Sequence, residues 1–93
     1  MIWDWMKDKK PLSIALKSRK EGELTIVASE ELDICYLNPT ASFLLDYCDG
    51  SMTMEGILDI FKKEYEVDEN TLRNDLIDIV RYMQWKRILK LEE

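Results

Sequence analysis

Histidine is absent from this chain, and with it go the commonest general base and the commonest metal ligand. Cysteine is scarce: Cys35 and Cys48 are the only two, and they lack the close spacing of a zinc site or a CxxC redox pair. Both stand in apolar surroundings and read as small core residues, the usual fate of a free thiol. A disulfide between them would need an oxidising compartment. Serine and cysteine nucleophiles have no histidine to activate them. Gly22, Gly50 and Gly56 are scattered at turns and helix starts, so there is no glycine-rich phosphate loop. No apolar run approaches the ~20 residues of a membrane span. The stretch Met1–Lys7 carries a charge inside its apolar run and has no small-residue cleavage site, unlike a secretory signal. The expected location is therefore cytoplasmic.

What is present is a 93-residue chain of 46% hydrophobic and 34% charged residues, the profile of one small folded domain. Its net charge of −6 is unevenly spread. Residues 1–23 balance at +2 and residues 24–93 at −8. Nucleic-acid binding needs cations to displace the counterions on phosphates, and the acidic body has the wrong sign. The many carboxylates fall on helix surfaces, where Asp59 can pair with Lys63 at i+4. A solvated face explains them better than a paired-carboxylate active site. The chain is expected to be no enzyme and to need no cofactor.

The first half has the period of strands. Leu12–Lys17 alternates apolar and polar residues. Lys17–Glu23 is polar, contains Gly22 and reads as a hairpin loop. Leu24–Ala28 is β-branched and apolar, a second strand. Ser29–Glu31 turns into a third, Leu32–Leu37. Together they predict a three-stranded antiparallel meander, to which residues 1–11 form an N-terminal extension and residues 12–93 the domain. Trp3, Trp5 and Met6 make that extension either an ordered lid or a sticky arm.

At Asn38-Pro39 the period changes to that of a helix. Asn is a good N-cap and Pro suits the first helical position. Ala41, Leu44, Leu45 and Cys48 share one face, and Asp49-Gly50-Ser51 is expected to end the helix at a left-handed Gly50. Thr53 caps a second helix whose apolar set is Met54, Ile57, Leu58, Phe61 and Tyr65. Asp68 caps a third, Glu69 to about Lys86. At 100° per residue Leu72, Leu76, Ile79, Val80 and Met83 fall within an arc of about 100°, with Ile77 at its edge. Ile88–Leu91 reads as a short extended tail. The fold class is α+β, a three-stranded antiparallel sheet followed by three helices in a winged-helix-like unit.

In a winged helix-turn-helix the last helix would read the major groove. Here it carries Arg73, Asn74, Arg81, Gln84 and Lys86 but also Glu69, Asp75 and Asp78, which argues against that alternative. The third strand is more informative. Leu37 should face the core with Asp33 and Cys35, leaving Leu32, Ile34 and Tyr36 as an apolar row on the opposite face. The N-terminus, a second subunit or a partner could cover it, so a homodimer or a purely structural dimerisation module is a further reading. A meander also has free edges, which invite β-strand addition by an extended peptide.

Tyr36-Leu-Asn-Pro-Thr-Ala-Ser-Phe-Leu-Leu45, Cys48-Asp-Gly50, Met54-Glu-Gly-Ile57, Val67-Asp68 and Asp75-Leu76 resemble the PqqD family. This is the peptide-recognition element (RRE) of pathways for ribosomally made, post-translationally modified peptides (RiPPs). The resemblance spans about Leu24 to Leu89. It implies a peptide chaperone that binds the leader segment of a precursor peptide as an added strand and delivers it to a modifying enzyme, often a radical SAM enzyme. It places that strand against Leu32, Asp33, Ile34, Cys35 and Tyr36, with Arg73, Asp75, Leu76, Ile79 and Val80 on the helix side. Leu76, Ile79 and Val80 read equally well as core. The family commonly ends its last helix with Gly, where this chain has Lys86-Arg87, and residues 1–11 have no family counterpart.

Overall fold

In the computed structural model, which describes residues 2–93, the meander forms, with its strands displaced from the sequence reading. A short helix α1 (Ile2–Met6) leads into β1 (Lys10–Ser13), followed by β2 (Lys17–Glu21), β3 (Leu24–Ala28) and β4 (Ile34–Leu37). Three helices follow, α2 (Pro39–Leu45), α3 (Met54–Glu64) and α4 (Glu69–Trp85), and the chain closes with β5 (Leu89–Glu92). The sheet order is β2-β3-β4, all antiparallel, and β1 pairs separately with β5.

The stretch expected as a hairpin loop, Lys17–Glu23, is mostly strand. The loop proper is Gly22-Glu23, between the paired residues Glu21 and Leu24. Gly22 has φ +64, at the position where a two-residue type II′ turn takes glycine. β2 shows no apolar alternation because every one of its residues is exposed. An edge strand wet on both faces needs no apolar alternation, and its Lys17, Arg19 and Lys20 guard the edge against pairing. The expected first strand, Leu12–Lys17, is instead split. Its start belongs to β1, in register with β5 from Lys10↔Glu92 to Ser13↔Leu89.

The three expected caps form. Asn38 Oδ1 accepts from the Ala41 N–H at 2.8 Å, Thr53 Oγ1 from Gly56 at 3.1 Å and Asp68 Oδ2 from Thr71 at 3.2 Å. Each satisfies one of the orphan donors of a helix start. The first of these helices is shorter than the sequence suggests. It ends at Leu45, and the next turn tightens through Tyr47 N–H to Leu44 O and Cys48 N–H to Leu45 O. Gly50 has positive φ as expected, but it serves a different joint. Its N–H donates to Pro11 O at 3.0 Å, stitching this turn to β1.

One face of the meander, through Val27, Cys35 and Leu37, packs on the helices. Met54, Ile57, Leu58 and Phe61 of α3 meet Leu72, Leu76, Val80 and Met83 of α4. Burying each such large side chain contributes on the order of 1.5–3 kcal/mol. Trp3 and Met6 of α1 are part of this core, and α1 lies against α4. The N-terminal segment therefore does not cover the outer face of the meander.

Candidate functional site

The exposed row expected on the third strand is there. Ile34 is 55% and Tyr36 68% exposed, while Cys35 and Leu37 between them are buried. Leu32 belongs to the same row by position but not to the strand: it sits in the preceding turn with φ 66 and is 71% exposed. That turn is built on buried Ser29, whose Oγ accepts from the N–H groups of Glu31 and Asp33, both at 3.2 Å. The Ser29 carbonyl accepts from Leu32 N–H at 2.9 Å. A leucine is uncommon in the left-handed region, and these three bonds hold it there.

The backbone of β4 presents a free edge. Ser29 N–H donates to Asp33 O, so these residues form a hydrogen-bonded pair. In an antiparallel ladder such pairs alternate with open ones. Val27↔Cys35 and Thr25↔Leu37 are then the next bonded pairs, and Ala28↔Ile34 and Ile26↔Tyr36 the open ones. The N–H and C=O groups of Ile34 and Tyr36 consequently point away from β3, across the unpaired edge of the sheet.

That edge faces α4 across a gap with two hollows. One, of about 300 Å³, is lined by Tyr36, Leu37, Asn38 and Ala41 on one side and Asp78, Ile79 and Tyr82 on the other. The second, of about 220 Å³, lies at the opposite end between Glu31 and Asp33 and the helix-end residues Trp85, Lys86 and Arg87. Its far rim is tied shut by an ion pair between Glu31 and Arg87. The α4 wall thus grades from a carboxylate at Asp78 to aromatics at Tyr82 and Trp85. Trp85 is 75% exposed, with the Lys86 ammonium 4.9 Å from its ring centroid.

Of the residues picked from sequence, Asp33, Tyr36 and Ile79 line this gap, and Ile34 lies along its β4 edge. Cys35 is buried under the strand, and Leu76 and Val80 are fully buried in the core beneath the helix. Asp75 is exposed on α4 and lines neither hollow. Arg73 faces elsewhere, with its guanidinium 5.8 Å from the ring centroid of Trp3 and paired with Glu69 at 2.7 Å. Sequence reasoning passed over Asp78, Tyr82 and Trp85. They stand at i, i+4 and i+7 along α4, but a stripe that begins with an acid and ends in exposed aromatics has no apolar periodicity to mark it.

No histidine, nucleophile or metal cluster accompanies the gap. Among the described residues no group of three or more potential ligands could hold a metal. Burial, with help from Asp49 and Asp46, pushes the Cys48 thiol up to about 12, which makes it inert. Glu69 is held below the usual carboxylate range, first by its hydrogen bond from Lys62 and then by the charge of Arg73.

The profile of a family described as Coenzyme PQQ synthesis protein D (PqqD) matches residues 23–89. This chain belongs to the PqqD family. The PqqD match covers β3, β4, all three long helices and the start of β5, so both walls of the gap lie within it. Helix α1, β1 and β2 precede it. A solved structure described as TbiB1 in complex with the TbiA(beta) leader peptide has the same fold. It is 24% identical, with a TM-score of 0.76 over 85% of this chain and 93% of TbiB1. No curated protein matches this chain. Just past the end of α4, at a position where helices usually take glycine, Arg87 adopts the left-handed conformation with φ 62.

Proposed function

We infer that this protein binds the leader segment of a ribosomally synthesised precursor peptide as a fourth strand on the edge of β4. The observation that carries the reading is the conjunction of two things at one place. Ile34 and Tyr36 offer unpaired backbone groups, and α4 stands beyond them with the hollow of Leu37, Ala41, Ile79 and Tyr82 between. An added strand lies ~4.8 Å from its neighbour, with alternate side chains on opposite faces. Main-chain bonds to Ile34 and Tyr36 give affinity, and the hollow selects a side chain. Membership of the PqqD family supports this choice of ligand, as does the leader peptide bound by TbiB1.

The protein would act without catalysis, presenting the peptide to a separate modifying enzyme, which in the family is often a radical SAM enzyme. The uncovered outer face of the meander, with Leu24, Ile34 and Tyr36 exposed, is a surface on which that enzyme or a second copy could rest. Titration of the 15N-labelled protein with its cognate leader is the direct test. Amide shifts should concentrate at Ile34–Tyr36 and along Asp78–Trp85. Shifts confined to the exposed surface of α3 would overturn the docking.

A further inference from the structure

The gap beside β4 has a neighbour. A groove of about 890 Å³ lies between α1 and α4, lined by Ile2, Trp3, Asp4 and, along α4, by Asn70, Arg73, Asn74, Ile77, Asp78 and Arg81. Trp3 and Ile77 give it apolar ground. Asn70 and Asn74 stand one helical turn apart, each able to donate to and accept from a peptide group.

Its electrostatics differ from those of the body around it. Glu69 is shared by two cations, Lys62 at 2.6 Å and Arg73 at 2.7 Å. The Arg73 Nε is shut off from water and has no hydrogen-bond partner. Arg81 is exposed and has no ion-pair partner among the described residues. Asp4 and Asp78 also line the groove, and Asp4 has an interaction of its own. The groove is therefore not a uniform cationic strip. It suits one placed carboxylate with neutral residues around it better than an acidic run.

The groove also joins the β4–α4 gap. Asp78 lines both and forms the saddle between them. β4 runs from the Trp85 end of the gap toward the Asp78 end, since Asp33 lines the hollow at Trp85 and Tyr36 and Leu37 the hollow at Asp78. A guest added antiparallel, as are all the existing strands of this sheet, runs the other way. Its N-terminal side then leaves the gap over Asp78, toward Arg81 and Arg73.

We propose that the α1–α4 groove is a second recognition site for the same peptide, taking a carboxylate-bearing segment N-terminal to the strand. Arg81 and Arg73 receive the carboxylate, and Asn70 and Asn74 the neighbouring main chain. The inference rests on the leader-binding reading above. A helix is about 10 Å across and an extended chain advances roughly 3.3 Å per residue. The acid should accordingly lie about three to five residues N-terminal to the position paired with Tyr36.

The probe is the cognate leader peptide, synthesised whole and truncated before its strand segment. Affinities are read by fluorescence anisotropy. Truncation should weaken binding about 5- to 20-fold, the size of one charged hydrogen bond. Arg81→Glu should weaken the whole leader by a similar factor and leave the truncated one unchanged. Replacing the leader's acid by lysine should restore binding to Arg81→Glu. Equal affinity of wild type and Arg81→Glu for the whole leader overturns the proposal, as does equal weakening of both lengths or a leader with no Asp or Glu in that stretch. If the wild type binds neither length, the leader-binding reading itself falls and takes the groove with it.

Discussion

Arg87, two residues past the end of α4, pairs with Glu31 in the turn before β4. The two residues join the walls of the candidate site at one end, and both stand beside strained backbone. Arg87 itself has φ 62, and Leu32, next to Glu31, has φ 66. Glycine at position 87 would remove a conformational cost of up to about 1 kcal/mol. It would also remove an exposed ion pair worth about 0–1 kcal/mol. Arg87→Gly should therefore leave the midpoint of thermal unfolding within about 5 °C of wild type, since 1 kcal/mol shifts a domain of this size by about 4–8 °C. The turn is where the change should register. Hydrogen exchange at the Leu32 N–H, which donates to Ser29 O, should accelerate. Exchange left unchanged would mean that the Ser29 bonds alone hold the turn.

Proline at position 34 separates main-chain recognition from folding. The Ile34 N–H points off the sheet edge, so its loss removes no bond of the meander, and edge strands tolerate proline at such positions. Ile34→Pro should retain its circular dichroism spectrum and lose about tenfold or more in leader affinity. Cys35→Pro is the contrasting case, because the Cys35 N–H lies in the β3–β4 ladder, and it should unfold the sheet. An Ile34→Pro variant that binds the leader as wild type does would exclude strand addition at this edge.

Cys48 should be chemically silent. Burial pushes its thiol up to about 12, and its Sγ–H donates to Leu44 O at 3.3 Å. At pH 8 almost no thiolate exists, and the thiolate is the reactive form. Iodoacetamide should modify Cys48 only in denaturant, as judged by intact mass. Rapid labelling of the native protein would contradict the packing of the α2–α3 turn.

The Lys62–Glu69–Arg73 cluster has a defined pH window. Glu69 is lowered from 4.5, so the native state favours its charged form. Its contribution is present above the unfolded value near 4.5 and fades as pH falls through the lower native value. Lys62 is raised from 10.5. Its share is complete below that value and fades as pH climbs through the higher native one. Both groups are exposed, so the effect should be small and screened by salt. Glu69→Gln should flatten the acid limb of the stability profile in low salt and change little in 1 M NaCl. An undiminished acid limb would place the relevant carboxylate elsewhere.

The helices were legible because their rules are local. Asn38, Thr53 and Asp68 are caps whose acceptors lie three residues from the donors they satisfy. The apolar stripes of α3 and α4 face inward as their spacing requires, leaving Leu76 and Val80 as core. The strands were less legible because their partners are remote. Nothing in Lys10–Ser13 indicates that it pairs with Leu89–Glu92, and β2 has no buried face to leave a pattern. The free edge of β4 follows from the ladder's alternation, which needs one observed bond, Ser29 to Asp33, to fix its phase. The resemblance implies Arg73 on the wall facing β4, whereas it stands beside Trp3. The intervening fact, a helix at Ile2–Met6, comes from Trp3 and Met6 alone being buried in a segment too short to show a period.

The pairing of β1 with β5 has a kinetic consequence. Its strands stand at opposite ends of the chain, so the ladder from Lys10↔Glu92 to Ser13↔Leu89 closes a loop of nearly the whole sequence. Closure of so long a loop carries an entropic cost that grows with its length, and contacts between such distant residues slow folding. The β2–β3 hairpin and the α3–α4 pair, each joined by a short link, can assemble before it. The ladder would then be the last seam to close on the way to the native state.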